Sequence, residues 1–382
     1  MRKQLRFLLL VLVLVAAILI VFDLQKVRTS SVTRLLLPGQ TRLTVLERQA
    51  KPYEVGKRVV YRPIDSCPRA QFLDEYKNPC WITQGRTTCA ARVMLLGFHK
   101  SGTTDMTERF THHPGIIGET RNYFTNSSPL TEDCPLKWME THLSNPLYLE
   151  KKKDIFCDCS GCALIHKHQE QNETYLVRQS AAQYLTYSML DSSRYIITMR
   201  EPADRTISHF FFMHKKKRAN NPYNEYSLAE LGNSFFHRLI SESVESFTKC
   251  LPKYGTTVCI LNKEQASIYH PHPYTVTIMS DSCYSTLLKE LLKFIPKEKI
   301  YFSKMEDYAK DEEESIKRIF RFVGVPVIER KEVNRNDLPK VANSGYGAKP
   351  VLPETKELLK MFYEPFNVEL AEMLGDDKWL WK

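Results

Sequence analysis

The sequence predicts an α/β domain with a central parallel sheet flanked by helices and a P-loop-like turn near its start, set behind an N-terminal apolar helix. Two widely separated segments carry that expectation, because in each an apolar strand runs into a turn that opens a helix. They are Leu95-Leu96-Gly97-Phe98-His99-Lys100-Ser101-Gly102-Thr103-Thr104 and Tyr195-Ile196-Ile197-Thr198-Met199-Arg200-Glu201-Pro202, the latter followed by Ser208. A third strand, Ile300 to Phe302, precedes another amphipathic stretch. Strand, turn and helix in alternation favour a parallel sheet covered on both faces.

Taken in order, residues 1–6 form a short basic tail and Phe7 to Phe22 is an uninterrupted apolar run. Ala16-Ala17 lies inside that run rather than after it, which favours an uncleaved signal-anchor over a signal peptide. The positive flank stays cytosolic, so the remainder is expected to be luminal, and the short span suits a thin early-secretory membrane. The implied residence is the Golgi membrane, as a single-pass type II protein. Residues 23–65 read as a basic luminal stem, and residues 66–382 suffice for one large domain.

Within that domain, strands are expected at Val93 to Leu96, Tyr195 to Met199 and Ile300 to Phe302. Met106 and Phe110 share a helical face, as do Ala203, Ile207 and Phe210. Ile316, Ile319, Phe320 and Val323 form a further stripe that stops at Gly324, and Pro353 fits the first turn of a later helix.

Both turns carry residue types that hold phosphate: backbone N–H groups, hydroxyls, one Lys and one Arg. Together they point to one nucleotide gripped at two phosphates. Gly97 and Gly102 have the spacing of a Walker A loop, but Thr103 stands where its Lys belongs and the loop's lysine, Lys100, precedes the second Gly. The chain also lacks a convincing apolar strand ending in a Mg²⁺-binding Asp, which argues against an ATPase or kinase. A donor with a single phosphosulfate fits better, since a sulfuryl group carries less charge than a phosphoryl group and needs no metal clamp.

At these residues the chain resembles the sulfotransferases that use 3′-phosphoadenosine 5′-phosphosulfate (PAPS). The likeness runs on through 294–300, Met305-Glu306-Asp307-Tyr308, Leu352-Pro353-Glu354-Thr355 and 362–367, and reaches upstream to Cys80-Trp81 and Cys89. Within that superfamily it is similar to the N-acetylgalactosamine 4-sulfate 6-O-sulfotransferase group, which modifies chondroitin and dermatan. The resemblance implies that Lys100, Ser101, Gly102, Thr103 and Thr104 attend the 5′-phosphosulfate, and that Arg200 and Ser208 hold the 3′-phosphate. It places a loop over the nucleotide at 343–350, with Gly347 and Lys349 near it. For the base that takes the acceptor's proton it points to Glu119, with His99, His112 and His113 as weaker candidates and Lys100 stabilising the leaving oxygen.

The chain departs from the family after Glu119, where Arg121-Asn122 replaces an expected His region, and at 175–180, where relatives carry a carboxylate. Those departures keep open a catalytically inactive glycan-binding relative, beside a heparan or other glycan O-sulfotransferase.

Ten Cys in a luminal chain point to disulfides. Cys250 and Cys259 resemble a family disulfide loop, and Cys67, Cys80 and Cys89 are expected to fasten the start of the domain. Cys157, Cys159 and Cys162 lack the second ligand pair of a familiar zinc site, so no metal is expected. Asn126 and Asn172 open glycosylation sequons. Lys and Arg outnumber Asp and Glu by 54 to 44, partly through 151–153 and 215–218, and such patches would steer a polyanionic glycan. Luminal topology sets nucleic acid aside as a partner, and the oligomeric state is left open.

Overall fold

The computed structural model describes residues 71–83, 85–89, 91–119, 154–158, 168–170, 173–175, 192–215, 233–261, 273–293, 295–328 and 351–381. A hairpin opens them, with β1 (Cys80–Thr83) antiparallel to β2 (Arg86–Cys89). Cys80 and Cys89 face one another across its ladder and are joined by a disulfide, as expected for this part of the domain. Then come β3 (Val93–Leu95), α1 (Thr103–Thr111), β4 (Ile116–Glu119) and β5 (Asp154–Asp158). A small antiparallel pair, β6 (His168–Glu170) and β7 (Glu173–Tyr175), precedes β8 (Arg194–Met199) and α2 (Pro202–Lys215).

Next is α3 (Asn233–Leu261), broken at Gly255 just after Pro252, with α4 (Pro273–Ser280) and α5 (Tyr284–Leu291) beyond it. The chain returns through β9 (Ile300–Lys304), α6 (Met305–Lys310) and α7 (Glu312–Val323), and α8 (Pro353–Leu374) comes last. The expected Cys250–Cys259 disulfide is present and straddles the break in α3.

The main sheet has the order β4-β5-β3-β8-β9, and each neighbouring pair is parallel. Parallel strands are covered on both faces, and the two hydrophobic clusters divide them residue by residue. Met94, Leu96, Tyr195, Ile197 and Met199 join one cluster with residues of α2, α3, α5 and α8. Val93, Leu95 and Ile196 point the other way, into a cluster with Met106, Phe110, Ile319, Phe320 and Val323 of α1 and α7. Every apolar stripe read from the sequence lies in one of these two layers. Fully burying a side chain such as Phe110 stabilises by about 1.5–3 kcal/mol.

The two ends of the sheet are fixed by different local contacts. Beyond β3 the chain keeps pairing with β8, as Leu96 N–H donates to Ile196 O at 2.8 Å and Phe98 N–H to Thr198 O at 3.1 Å. Gly97 lies between them, where a Cβ would stand 2.4 Å from Thr198 Oγ1 and 2.6 Å from Thr198 N, so only glycine fits. At the opposite edge, the fully buried Asp154 binds Arg92 and Lys77, while Arg92 also donates to Ser192 O at 2.7 Å and Val323 O at 2.6 Å. That cluster ties the starts of β3 and β5 to the approach to β8 and the end of α7.

The expected strands and helices are all found, and Pro353 does open α8. Gly324, in the left-handed region at φ 72°, ends α7 as its stripe implied, with Val325 N–H returning to Phe320 O. Glu119, which follows the first helix as read from the sequence, is the last residue of β4, an edge strand reached through β5. Both strands are short, and β4 contains a glycine, so neither has a periodic signal. No helix among the described residues is long and apolar enough to cross a membrane. The expected span at 7–22, the stem at 23–65, Cys67, Asn126 and Asn172 lie outside the described residues.

Candidate functional site

Adjacent strands β3 and β8 send their connections to opposite sides of the sheet: β3 leads by α1 to β4, whereas β8 leads by α2 to β9. In an open parallel sheet, ligands bind beyond the carboxyl ends of the strands where the winding direction reverses. The turn 97–102 and Arg200 both lie at that reversal. Two residues of the turn are left-handed, Lys100 at φ 67° and Gly102 at φ 81°. Ser101 N–H donates to Phe98 O at 3.2 Å and closes the bend.

Gly102 occupies the N-cap of α1 and no side chain caps that helix. The N–H groups of its first turn therefore stand at the positive end of the helix dipole, a ready site for an anion. Thr103 is buried in that turn and Thr104 is exposed. Ser101 is almost completely buried, close to the Tyr284 phenol, yet its Oγ has no hydrogen bond of ordinary geometry. A buried hydroxyl left short in this way fits a site built to receive phosphate or sulfate oxygens.

The Lys100 ammonium rests over the Phe212 ring, 4.1 Å from its centroid. Phe212 lies one turn beyond Ser208 on the same face of α2, so Lys100 is drawn toward the helix face that carries Ser208. Arg200 comes directly after β8, and its Nη1 reaches the Lys100 carbonyl at 3.5 Å. The two segments singled out in the sequence thus meet.

Glu201 holds the next turn. Its Oε2 accepts the Asp204 N–H at 2.6 Å, capping α2, and its own N–H donates to Glu306 Oε1 at 2.7 Å. Burial pushes the Glu201 carboxyl above its ordinary range, against the lowering effect of the backbone N–H bonds it accepts. Lys356, at the start of α8, binds Asp204 at 2.8 Å, and that bond raises the lysine's pKa.

Glu119 ends β4 at the same carboxyl edge, two strands from β3, in register with Cys157. Gly347 and Lys349 lie outside the described residues. Two of the weaker base candidates belong elsewhere. His113 is buried at the far end of α1, where its Nε2 pairs with Pro326 O at 2.9 Å and its Nδ1 accepts Gly115 N–H at 3.0 Å. His112, beside it, turns Nδ1 to Glu108 O. Only His99 stays near the turn, its ring 5.8 Å from that of His209.

Sequence reasoning missed Tyr284, Glu201 and Glu306 as supports of the Arg200 turn. Glu306 lay within a family-like segment, but nothing local to Tyr284 announces that its hydroxyl donates to Arg200 O at 2.9 Å.

Residues 90–338 match the family described as the sulfotransferase domain. The chain belongs to the sulfotransferase-domain family. The resemblance to carbohydrate sulfotransferases is likewise borne out by its relatives. Human carbohydrate sulfotransferase 15 is 20% identical over 339 residues, covering 78% of this chain and 55% of the relative. The chain thus spans about half the length of that protein. A membrane-associated sulfotransferase, kil1 of Dictyostelium discoideum, is 22% identical over 364 residues, covering 80% of this chain and 70% of kil1. Among solved structures, a sulfotransferase from Alicyclobacillus acidocaldarius aligns with 76% of this chain and 99% of its own at 15% identity, with a TM-score of 0.44.

Proposed function

We propose that the protein transfers a sulfuryl group from PAPS to a sugar hydroxyl of a glycosaminoglycan, the 6-OH of N-acetylgalactosamine 4-sulfate in chondroitin or dermatan sulfate. The observation that carries this reading is the meeting of the Lys100 turn with Arg200 at the carboxyl edge of the sheet, beside a helix start that no side chain caps and a buried serine hydroxyl without a hydrogen bond of ordinary geometry. In a sulfotransferase domain such an edge suits a nucleotide with an anionic group at each end. PAPS, when bound, supplies an activated sulfuryl group joined to a phosphate.

In this reading Ser101, Thr103, Thr104 and the first-turn N–H groups at Gly102 receive the 5′-phosphosulfate. Arg200 and Ser208 take the 3′-phosphate, with Gly347 and Lys349 close to the nucleotide. The acceptor hydroxyl is a poor nucleophile at neutral pH, and Glu119 takes its proton as the oxygen attacks sulfur in line. Charge builds on the oxygen that leaves with the phosphate, and Lys100 moves off the Phe212 face to meet it. The protein works as a type II Golgi membrane protein anchored through residues 7–22, with its catalytic domain in the lumen.

The test is transfer of labelled sulfate from PAPS by the full chain to desulfated chondroitin, chondroitin 4-sulfate, dermatan and heparan, with disaccharide analysis. The expected product is a disulfated galactosamine disaccharide. Label in heparan would keep the reaction and overturn the acceptor. Protein that binds the bisphosphate product but labels none of these acceptors would overturn the acceptor class. For the base, Glu119→Ala should abolish turnover and keep nucleotide binding; an unimpaired variant would remove Glu119 from the mechanism.

A further inference from the structure

The peptide group joining Arg200 to Glu201 is held at both ends. Its carbonyl accepts the Tyr284 hydroxyl at 2.9 Å, and its N–H donates to Glu306 Oε1 at 2.7 Å. Both supports touch one further residue, Trp381. The indole N–H donates to the other oxygen of the same carboxylate, Glu306 Oε2, at 3.2 Å, and the indole ring lies 6.0 Å from the Tyr284 ring.

Trp381 is itself fixed from several sides. It packs against the buried Trp379 at 5.6 Å, and the Lys304 ammonium sits 5.4 Å from its ring while donating to Lys378 O at 2.7 Å. Its backbone is left-handed, at φ 46°, a conformation that an aromatic residue adopts only where its surroundings impose it. The segment after α8 therefore returns to the carboxyl edge of the sheet and braces the peptide from which the Arg200 side chain projects.

We propose that Trp381 is a positioning residue for the donor nucleotide. By orienting Glu306 and Tyr284 it fixes the Arg200–Glu201 peptide, and so aims the Arg200 guanidinium at the nucleotide's phosphate. This role rests on the nucleotide site proposed above. With one N–H donor on each oxygen, the Glu306 carboxylate is held from both sides: losing the indole donor frees it to turn, and the Glu201 N–H loses its fixed acceptor. Plain packing by Trp381 would instead tolerate any ring of similar size.

The experiment compares the full chain with Trp381→Phe, which keeps a ring against Tyr284 and removes the N–H, with Glu306→Gln, and with the double variant. Amide exchange at Glu201 is read without ligand. Affinity for adenosine 3′,5′-bisphosphate and the kinetics of sulfate transfer are read beside it. Each single variant should speed exchange at Glu201 and weaken the bisphosphate about fivefold, the value of roughly one hydrogen bond. The donor KM should rise by the same factor while kcat is retained. Because both act through one path, the double variant should lose no more than Glu306→Gln alone.

Unchanged exchange and affinity in Trp381→Phe would overturn the proposal, and so would fully additive losses in the double variant. Should Glu306→Gln fail to fold, Tyr284→Phe replaces it as the second arm. Wild-type protein that binds no bisphosphate would overturn the nucleotide site and with it this role of Trp381. Wild-type binding with unimpaired variants would overturn the role of Trp381 alone.

Discussion

The two edges of the parallel sheet treat polar groups in opposite ways. At the amino edge, buried ions close on one another: Asp154 is shared by Arg92 and Lys77, Arg92 spends two more donors on carbonyls, and His113 uses both ring nitrogens. At the carboxyl edge, Ser101 Oγ lies buried beside the Tyr284 phenol without a hydrogen bond of ordinary geometry, no side chain caps α1, and Arg200 meets a carbonyl only at 3.5 Å. In the reading proposed above, the amino-edge cluster holds the fold and the carboxyl edge receives the ligand.

The largest expected effect breaks the amino-edge cluster. Asp154→Ala leaves Arg92 buried without its carboxylate and should cost about 3–5 kcal/mol of stability, read as a lower denaturation midpoint. A midpoint within experimental error of wild type would show that the amino edge is not the structural one. On the other edge, Lys100→Met keeps the stem over Phe212 and removes the charge. Sulfate transfer should fall by about 10²–10³ in kcat with the midpoint unchanged.

A smaller effect sharpens the contrast. Ser101→Ala deletes a buried hydroxyl that sits beside the Tyr284 phenol without a hydrogen bond of ordinary geometry, so stability should change little. Affinity for the bisphosphate or donor should nonetheless drop by about fivefold. Equal losses in stability and affinity would make Ser101 an ordinary core residue.

The smallest effect concerns pH. Burial holds the Glu201 carboxyl above its ordinary value of 4.5. Its contribution to stability is therefore fully present below that value and is lost as pH rises through the raised folded value. Glu201→Gln can still cap α2 through its amide oxygen and should flatten that part of the stability profile, measured as midpoint against pH.

Much of this arrangement was legible in the sequence because the strand–turn–helix units around Lys100 and Arg200 are local. Their apolar stripes announce which faces are buried, and Gly102 and Pro202 mark where the helices begin. The edge strands were not legible. Ile116–Glu119 is short and carries Gly118, and Asp154–Asp158 comes after three lysines, so neither offers a period to read. The supports of Arg200 were equally hidden, since Tyr284, Glu306 and Trp381 come from three elements remote in sequence and become neighbours only through the tertiary fold. The reduced, buried Cys283 is a similar case: its thiol donates to Met279 O, a role that counting cysteines could not assign.

The central claim is that one nucleotide is held at the carboxyl edge between the Lys100 turn and Arg200. Amide exchange of the full chain with and without saturating adenosine 3′,5′-bisphosphate tests it most directly. Protection is expected at 97–106 and 198–209, with none at Arg92, Gly115 or Asp154. Protection absent from both turns, or centred on the amino edge, would contradict it.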